Sequence, residues 1–256
     1  AATQSGGGKT TLVTGLLAAL RARGLTAQSF KVGPDYIDLG YHRMASGRTG
    51  HNLDTWLVPE VRLTEIFARE CAGADIAVIE GVMGLYDGGR RGISSTAAIA
   101  KALDAPVLLV IDAKSVGASA AATALGFRSY DSQLNLAGVL LNRLGSKTHE
   151  EMIRKAMTDI HIPVYGALRR DSALTLPERH LGLTPVEEHE AAAVISALGE
   201  RVKAGLALDE ILRLAHSAAP LMIAEGRSVE KSVHVRIGVA RDEAFSFYYA
   251  ASLAQL

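Results

Sequence analysis

The chain has 256 residues, 48% of them hydrophobic, which is enough for a buried sheet and excludes a disordered chain. Its 27 basic and 27 acidic residues cancel, whereas a general nucleic-acid binder would carry a basic excess; a local basic pocket for an anionic small molecule stays open. The single cysteine, Cys71, excludes an internal disulfide and a cysteine-rich zinc site, and no signal peptide or apolar run of ~20 residues points to a membrane.

The chain opens on Ala1 and runs at once into a phosphate-loop sequence, Ser5-Gly6-Gly7-Gly8-Lys9-Thr10-Thr11. Glycines let successive backbone N–H groups turn toward phosphate oxygens, Lys9 can reach the β- and γ-phosphates, and the Thr10 hydroxyl can ligate Mg²⁺. A plain glycine-rich turn is the simpler reading, but the loop leads directly into an amphipathic helix over Thr10–Arg23, whose positive end adds to the site. Such a loop is normally delivered by a preceding strand, so a short apolar strand is expected upstream. The spacing departs from a standard Walker loop, because Thr3 stands where its first glycine would be. Gln4 occupies the place of the extra lysine of partition-type ATPases.

Strands are predicted at Ala27–Val32, Asp75–Glu80, Pro106–Asp112, Leu136–Asn142 and Pro163–Ala167, as short apolar runs. Helices are predicted between them at Val61–Ala72, Ser95–Leu103, Ala118–Phe127 and Lys147–Asp159. Repeated βα units imply an α/β fold, a mostly parallel open sheet with helices on both faces, binding ligands at the carboxyl ends of its strands.

Several acidic residues fall at those ends. Asp35 and Asp38, three apart and beside Lys31, suit a Mg²⁺-phosphate centre; an Asp-rich turn with Asp35 as a cap is the other reading. Glu80 closes a buried strand, the position from which a carboxylate holds a metal or its water, and the glycine-spaced loop after it carries Asp87. Asp112 either supports that centre from behind or caps the next helix. Asn142 and Arg143 end the fourth strand, where an Asn can meet an adenine edge or simply form a turn. No pair among the eight histidines has metal-ligand spacing, Cys71 reads as a structural thiol, and Trp56 reads as core.

After Thr184 the pattern changes. Glu187–Lys203 and Leu208–Ala215 read as two closing helices, which gives a synthetase domain over 1–216, a linker over 217–232 and a new unit over 233–256. The last opens with Val233, Val235, Ile237 and Val239 alternating as in a strand, followed by a helix over Ala244–Leu256.

Taken together, Ser5–Thr11, Phe30–Asp38 with Tyr41-His42, Asn52-Leu53-Asp54, Glu80–Gly88, Gly138–Arg143 and Leu176–Leu183 resemble the cobyrinic acid a,c-diamide synthase family, in consistent order over nearly the whole chain. The resemblance implies a dethiobiotin-synthetase-like P-loop fold and a cytoplasmic ligase of cobalamin biosynthesis. ATP and Mg²⁺ would activate the a- and c-carboxylates of cobyrinic or hydrogenobyrinic acid as acyl phosphates for attack by ammonia. By motif position, Lys9, Thr10 and Lys31 would contact phosphates, Thr10, Asp38 and Glu80 would organise Mg²⁺, and Asp35, Tyr36, Ile37 and Asp87 would line the reacting carboxylate. Arg179 and His180 would meet substrate or another domain. Members draw the ammonia from a C-terminal class I-like glutaminase domain, of which Val235–Phe245 resembles the opening; a chain ending at Leu256 is not expected to hydrolyse glutamine. The alternatives are a nickel-sirohydrochlorin a,c-diamide synthase, a dethiobiotin synthetase, a partition-type ATPase switch or an inactive regulatory fragment. The sequence leaves a homodimer open.

Overall fold

In a computed structural model the chain is described at residues 1–89, 93–171, 188–221, 235–242, 245 and 247–256. Its elements run α1 (Lys9–Ala22), β1 (Ala27–Val32), α2 (Ile37–Ser46), β2 (His51–Leu53), α3 (Glu60–Glu70), β3 (Ile76–Glu80), α4 (Thr96–Ala102) and β4 (Val107–Asp112). They continue through α5 (Ser119–Tyr130), β5 (Leu136–Leu144), α6 (Lys147–Asp159), β6 (Val164–Arg169), α7 (Glu188–Gly205), α8 (Leu208–His216) and α9 (Ala250–Gln255).

All strand pairs are parallel, as continuous burial of the strands requires. Among the described residues they form two three-stranded sheets, in the orders β2-β1-β3 and β4-β5-β6. Ala1–Thr3 lie along β4, with Ala2 bridged to Val110, the Val110 N–H donating to the Ala1 carbonyl at 2.8 Å and the Thr3 N–H to the Val110 carbonyl at 3.2 Å. Between β3 and β4 runs an apolar cleft of about 350 Å³, walled by Ile76, Val78, Val107 and Leu108 among others. It lies apart from the polar residues discussed below.

The helix α1 follows the phosphate loop and buries Leu12, Leu16, Leu17 and Leu20 at helical spacing, packed with Leu198 and Val202 of α7. Gly15 makes this close crossing feasible, because a Cβ there would stand 2.6 Å from the Val202 side chain and 2.9 Å from the Leu198 carbonyl oxygen.

Two elements are not among the predicted ones. The helix α2 contains Gly40, and β2 is three residues long. β1 is buried throughout although it carries Gln28, Ser29 and Lys31; the Gln28 amide donates to the Thr49 carbonyl at 2.8 Å, which satisfies it internally.

Three expectations are corrected. Trp56 is 70% exposed, because the turn after β2 directs it outward instead of into the core. Residues 235–239 are exposed and unpaired with any strand, so their alternation is not realised as β structure among the described residues. The last helix is α9, shorter than the span predicted from Ala244. Among the described residues no helix is long and apolar enough to cross a membrane.

Candidate functional site

The carboxyl ends of β1 and β3 and the start of α1 and α2 converge on one polar cluster. Gly8 takes φ 86°, a left-handed conformation that a side chain strains, and turns the chain into α1. A Cβ on Gly8 would also stand 2.2 Å from Asn142 Nδ2. Lys9, the first residue of α1, is buried and donates to the carbonyls of Gln4 and Met83. Burial, reinforced by the charge of Lys31, lowers its pKa. Ser5 and Gly6 sit on the exposed outer bend of the loop, Gly7 is buried, and Thr11 is half-buried.

Thr10 is the meeting point. Its Oγ1 lies 3.1 Å from Asp38 Oδ2 and 2.8 Å from Glu80 Oε1. The buried Lys31 ammonium donates to Asp38 and, at 2.8 Å, to Glu80 Oε1; Asp35 stands 3.6 Å away. The residues supplying these groups are adjacent in register, since Lys31 of β1 pairs with Glu80 of β3.

The electrostatics follow from this crowding. Burial would lower the Lys31 pKa, but Glu80, Asp38 and Asp35 together hold it well above the ordinary lysine range. For Glu80, burial acts upward, yet Lys31 and a hydrogen bond from His42 keep its carboxyl well below the usual range. Asp38 goes the other way: burial and the neighbouring Glu80 charge push it up to about 6 despite Lys31. One hydroxyl and two carboxylates, all hard oxygen donors, could hold a divalent ion that completes its shell with nucleotide phosphates and water. Among the described residues no group of three or more His, Cys, Asp or Glu could hold a metal by itself.

Asp35 serves the start of α2 and also faces Lys31. Its Oδ1 accepts from the N–H groups of Ile37 and Asp38, starting α2, while its other oxygen faces Lys31. Ile37 itself begins the helix and packs on the core around α1. Tyr36 points toward the chain's last segment, stacked on Phe247 with ring centroids 5.1 Å apart. Asp87 Oδ2 accepts from the Gly84 N–H at 2.9 Å, folding the loop after β3 beneath Lys9. Met83 in that loop is left-handed at φ 47°, a strained conformation for a non-glycine residue.

On the other half-sheet, Asn142 Nδ2 donates to the Gly7 carbonyl at 3.0 Å, bracing the phosphate loop from below. Arg143 turns to Asp112 at 2.7 Å, and Asp112 also accepts the Lys114 N–H in a turn; it caps no helix, because α5 begins only at Ser119. Beside the loop, Gly8, Thr11, Asn142 and Arg143 line a cavity of about 330 Å³ shared with Arg169, Arg170 and Arg201. Sequence reading did not pick out these last three arginines; the paired Arg169-Arg170 at the end of a predicted strand was the available signal.

Asp54 also went unassigned a role. It is buried, and it accepts from the Trp56 N–H at 2.9 Å, from Ser94 Oγ at 3.2 Å and from the Tyr249 hydroxyl at 2.9 Å. It thereby joins the turn after β2, the loop before α4 and the last segment of the chain. Cys71 is half-buried just beyond α3, its thiol pushed up to about 11 by burial. Arg179 and His180 lie outside the described residues.

Residues 1–183 match the model of the CobQ/CobB/MinD/ParA nucleotide-binding domain. The chain belongs to that family. Its relatives by sequence include hydrogenobyrinate a,c-diamide synthase of Thermobifida fusca, 46% identical over 96% of this chain and 56% of the relative. The enzyme of the same name from Streptomyces coelicolor is 49% identical over 88% of this chain and 47% of its own length. Cobyrinate a,c-diamide synthase of Dehalococcoides mccartyi is 44% identical over 100% of this chain and 57% of its own. The chain thus spans about half the length of the curated relatives it matches. As a CobQ/CobB/MinD/ParA domain it binds nucleotide.

Proposed function

We propose that this chain is the ATP-dependent synthetase part of an enzyme that amidates the a- and c-carboxylates of cobyrinic or hydrogenobyrinic acid. The observation that carries the reading is the cluster of Thr10, Lys31, Asp38 and Glu80 in a chain 44–49% identical to synthases of those names. ATP and Mg²⁺ are the nucleotide and ion that the oxygen donors suit, with Thr10, Asp38 and Glu80 as the protein's ligands.

A carboxylate is a poor acyl donor because its leaving group would be oxide. In the proposed reaction a substrate carboxylate oxygen attacks the γ-phosphorus of ATP, ADP leaves, and an acyl phosphate forms. Ammonia then attacks the acyl carbon, phosphate leaves with the C–O bond, and the nitrogen loses a proton to give the amide. When bound, Mg²⁺ neutralises charge on the β- and γ-phosphates. Lys9 and Lys31 supply the positive charge that the transferring phosphoryl group needs, and backbone N–H groups of the phosphate loop orient it. Asp35, Tyr36 and Asp87 border the side on which the substrate acid would lie. No side-chain nucleophile is required, so positioning and charge do the catalytic work. The ammonia would come from glutamine through a glutaminase domain in the whole protein; free ammonium can replace it in a test.

The deciding experiment measures ADP formation with Mg²⁺ and ammonium, with and without each tetrapyrrole acid, and follows the tetrapyrrole by mass spectrometry. Two successive carboxyl-to-amide changes, with ADP formed only when the acid is present, are expected. ATP hydrolysis indifferent to any tetrapyrrole would overturn the reading in favour of a nucleotide switch.

A further inference from the structure

His42 is wholly buried, and although it stands in the Tyr41-His42 motif and touches Glu80, the proposed reaction gives it no role. It lies one turn after Asp38 on α2, so both side chains project from the same face of that helix. Asp38 meets Thr10 and Lys31, while His42 Nε2 meets Glu80 Oε2 at 2.7 Å. The Glu80 carboxylate is thereby divided. Oε1 faces Thr10 and Lys31, and Oε2 is held from behind by the imidazole. The tautomer that serves this contact carries its proton on Nε2, because a carboxylate oxygen only accepts. Nδ1 has no hydrogen-bond partner among the described residues, so the Glu80 contact accounts for the hydrogen bonding of this buried ring.

A glutamate's terminal torsion is broad, and its carboxylate plane is set by its partners rather than by an intrinsic rotamer. Lys31 cannot do this alone, since its ammonium is shared with Asp38 and has no fixed fork geometry. We propose that His42 is a positioning residue of the nucleotide–metal centre, fixing Glu80 so that Oε1 alone is presented beside Thr10. The proposal rests on the reading of Thr10, Asp38 and Glu80 as ligands of a divalent ion. Outer partners of metal-ligating groups commonly change metal affinity or activity by about 10–100-fold when removed.

The test compares the parent chain with His42→Gln, which keeps an amide donor near the place of Nε2, and His42→Leu, which fills the volume without a donor. Mn²⁺ is titrated calorimetrically in the presence of a non-hydrolysable ATP analogue, and analogue binding is also measured without metal. His42→Gln should stay within about threefold of the parent in Mn²⁺ affinity, and His42→Leu should fall about 10–100-fold, with metal-free analogue binding unchanged in both. Equal losses in the two variants, or none in His42→Leu, would overturn the proposal. If His42→Leu does not fold, ¹⁵N spectra of the parent imidazole decide: an Nε2–H tautomer in a strong hydrogen bond is expected, and an Nδ1–H tautomer would overturn it. A parent that binds no divalent ion overturns both this proposal and the ligand assignment, whereas one that binds Mn²⁺ but amidates no tetrapyrrole overturns only the proposed reaction.

Discussion

Lys31 holds together a set of like charges that would otherwise repel one another. Replacing it by Met leaves the buried Glu80 and the half-buried Asp38 without their cation, and removing one partner of a buried ion pair costs about 3–5 kcal/mol. Urea unfolding of Lys31→Met at neutral pH should show a loss of that order, where an exposed lysine would show almost none. Asp38 offers a second residue-level expectation. Its carboxyl, raised to about 6 by burial and by Glu80, must lose its proton before it can ligate an ion. Divalent-ion affinity should therefore fall as pH drops through about 6, by up to tenfold per pH unit. The same shift means that the native state holds this proton more tightly than the unfolded chain does. Its contribution to stability is thus present at low pH and is lost as pH rises toward about 6. Titrations of Asp38→Asn between pH 5 and 8 should show a flatter profile; an unchanged one would mean that another group sets the dependence.

Among the elements, α1 and α7 cross closely at Gly15, and two glycines predict opposite outcomes. Gly15→Ala drives a methyl into the Leu198 backbone, where nothing can yield, and should cost about 1–3 kcal/mol. Gly126 lies within α5 with nothing within 4 Å of an added Cβ, so Gly126→Ala should stabilise by about 0.5–1 kcal/mol. Thermal melts of the two variants should move in opposite directions. The elements also mark what the sequence discloses. The phosphate loop, β1, β3 and β5 were readable because their signals are contiguous: glycines before Lys9, or a run of buried residues ending in Glu80 or Asn142. The helix α2 was missed because Gly40 interrupts it and because Asp35–Asp38 reads as a turn, although Ile37, Tyr41 and Ala45 do repeat at helical spacing. With α2 missed, the facing of Asp38 and His42 toward Glu80 could not be derived. Trp56 was misread because hydrophobicity alone does not say which way a turn points, and Val235–Val239 because alternation does not supply a partner strand.

Over the whole molecule, the contacts of Asp54 are the ones no local pattern announces, since Tyr249 lies 195 residues away along the chain. Burial and the Asp54 carboxylate raise the Tyr249 pKa, which keeps its phenol a donor at all ordinary pH. Tyr249→Phe deletes that donor and should speed amide exchange across α9 while leaving β1 and β5 protected. Exchange that is unchanged in α9 would show that stacking of Tyr36 on Phe247 suffices to hold the segment.

The division of the sheet also apportions the site. Lys31, Asp38 and Glu80 belong to the half built on β1 and β3, and Asn142, Arg143 and Asp112 to the half built on β4 and β5. The phosphate loop spans the two, touching Asn142 on one side and, through Thr10, Asp38 and Glu80 on the other. A bound nucleotide should therefore act as a staple, and amide exchange in β3 and in β5 is expected to slow together when an ATP analogue is added.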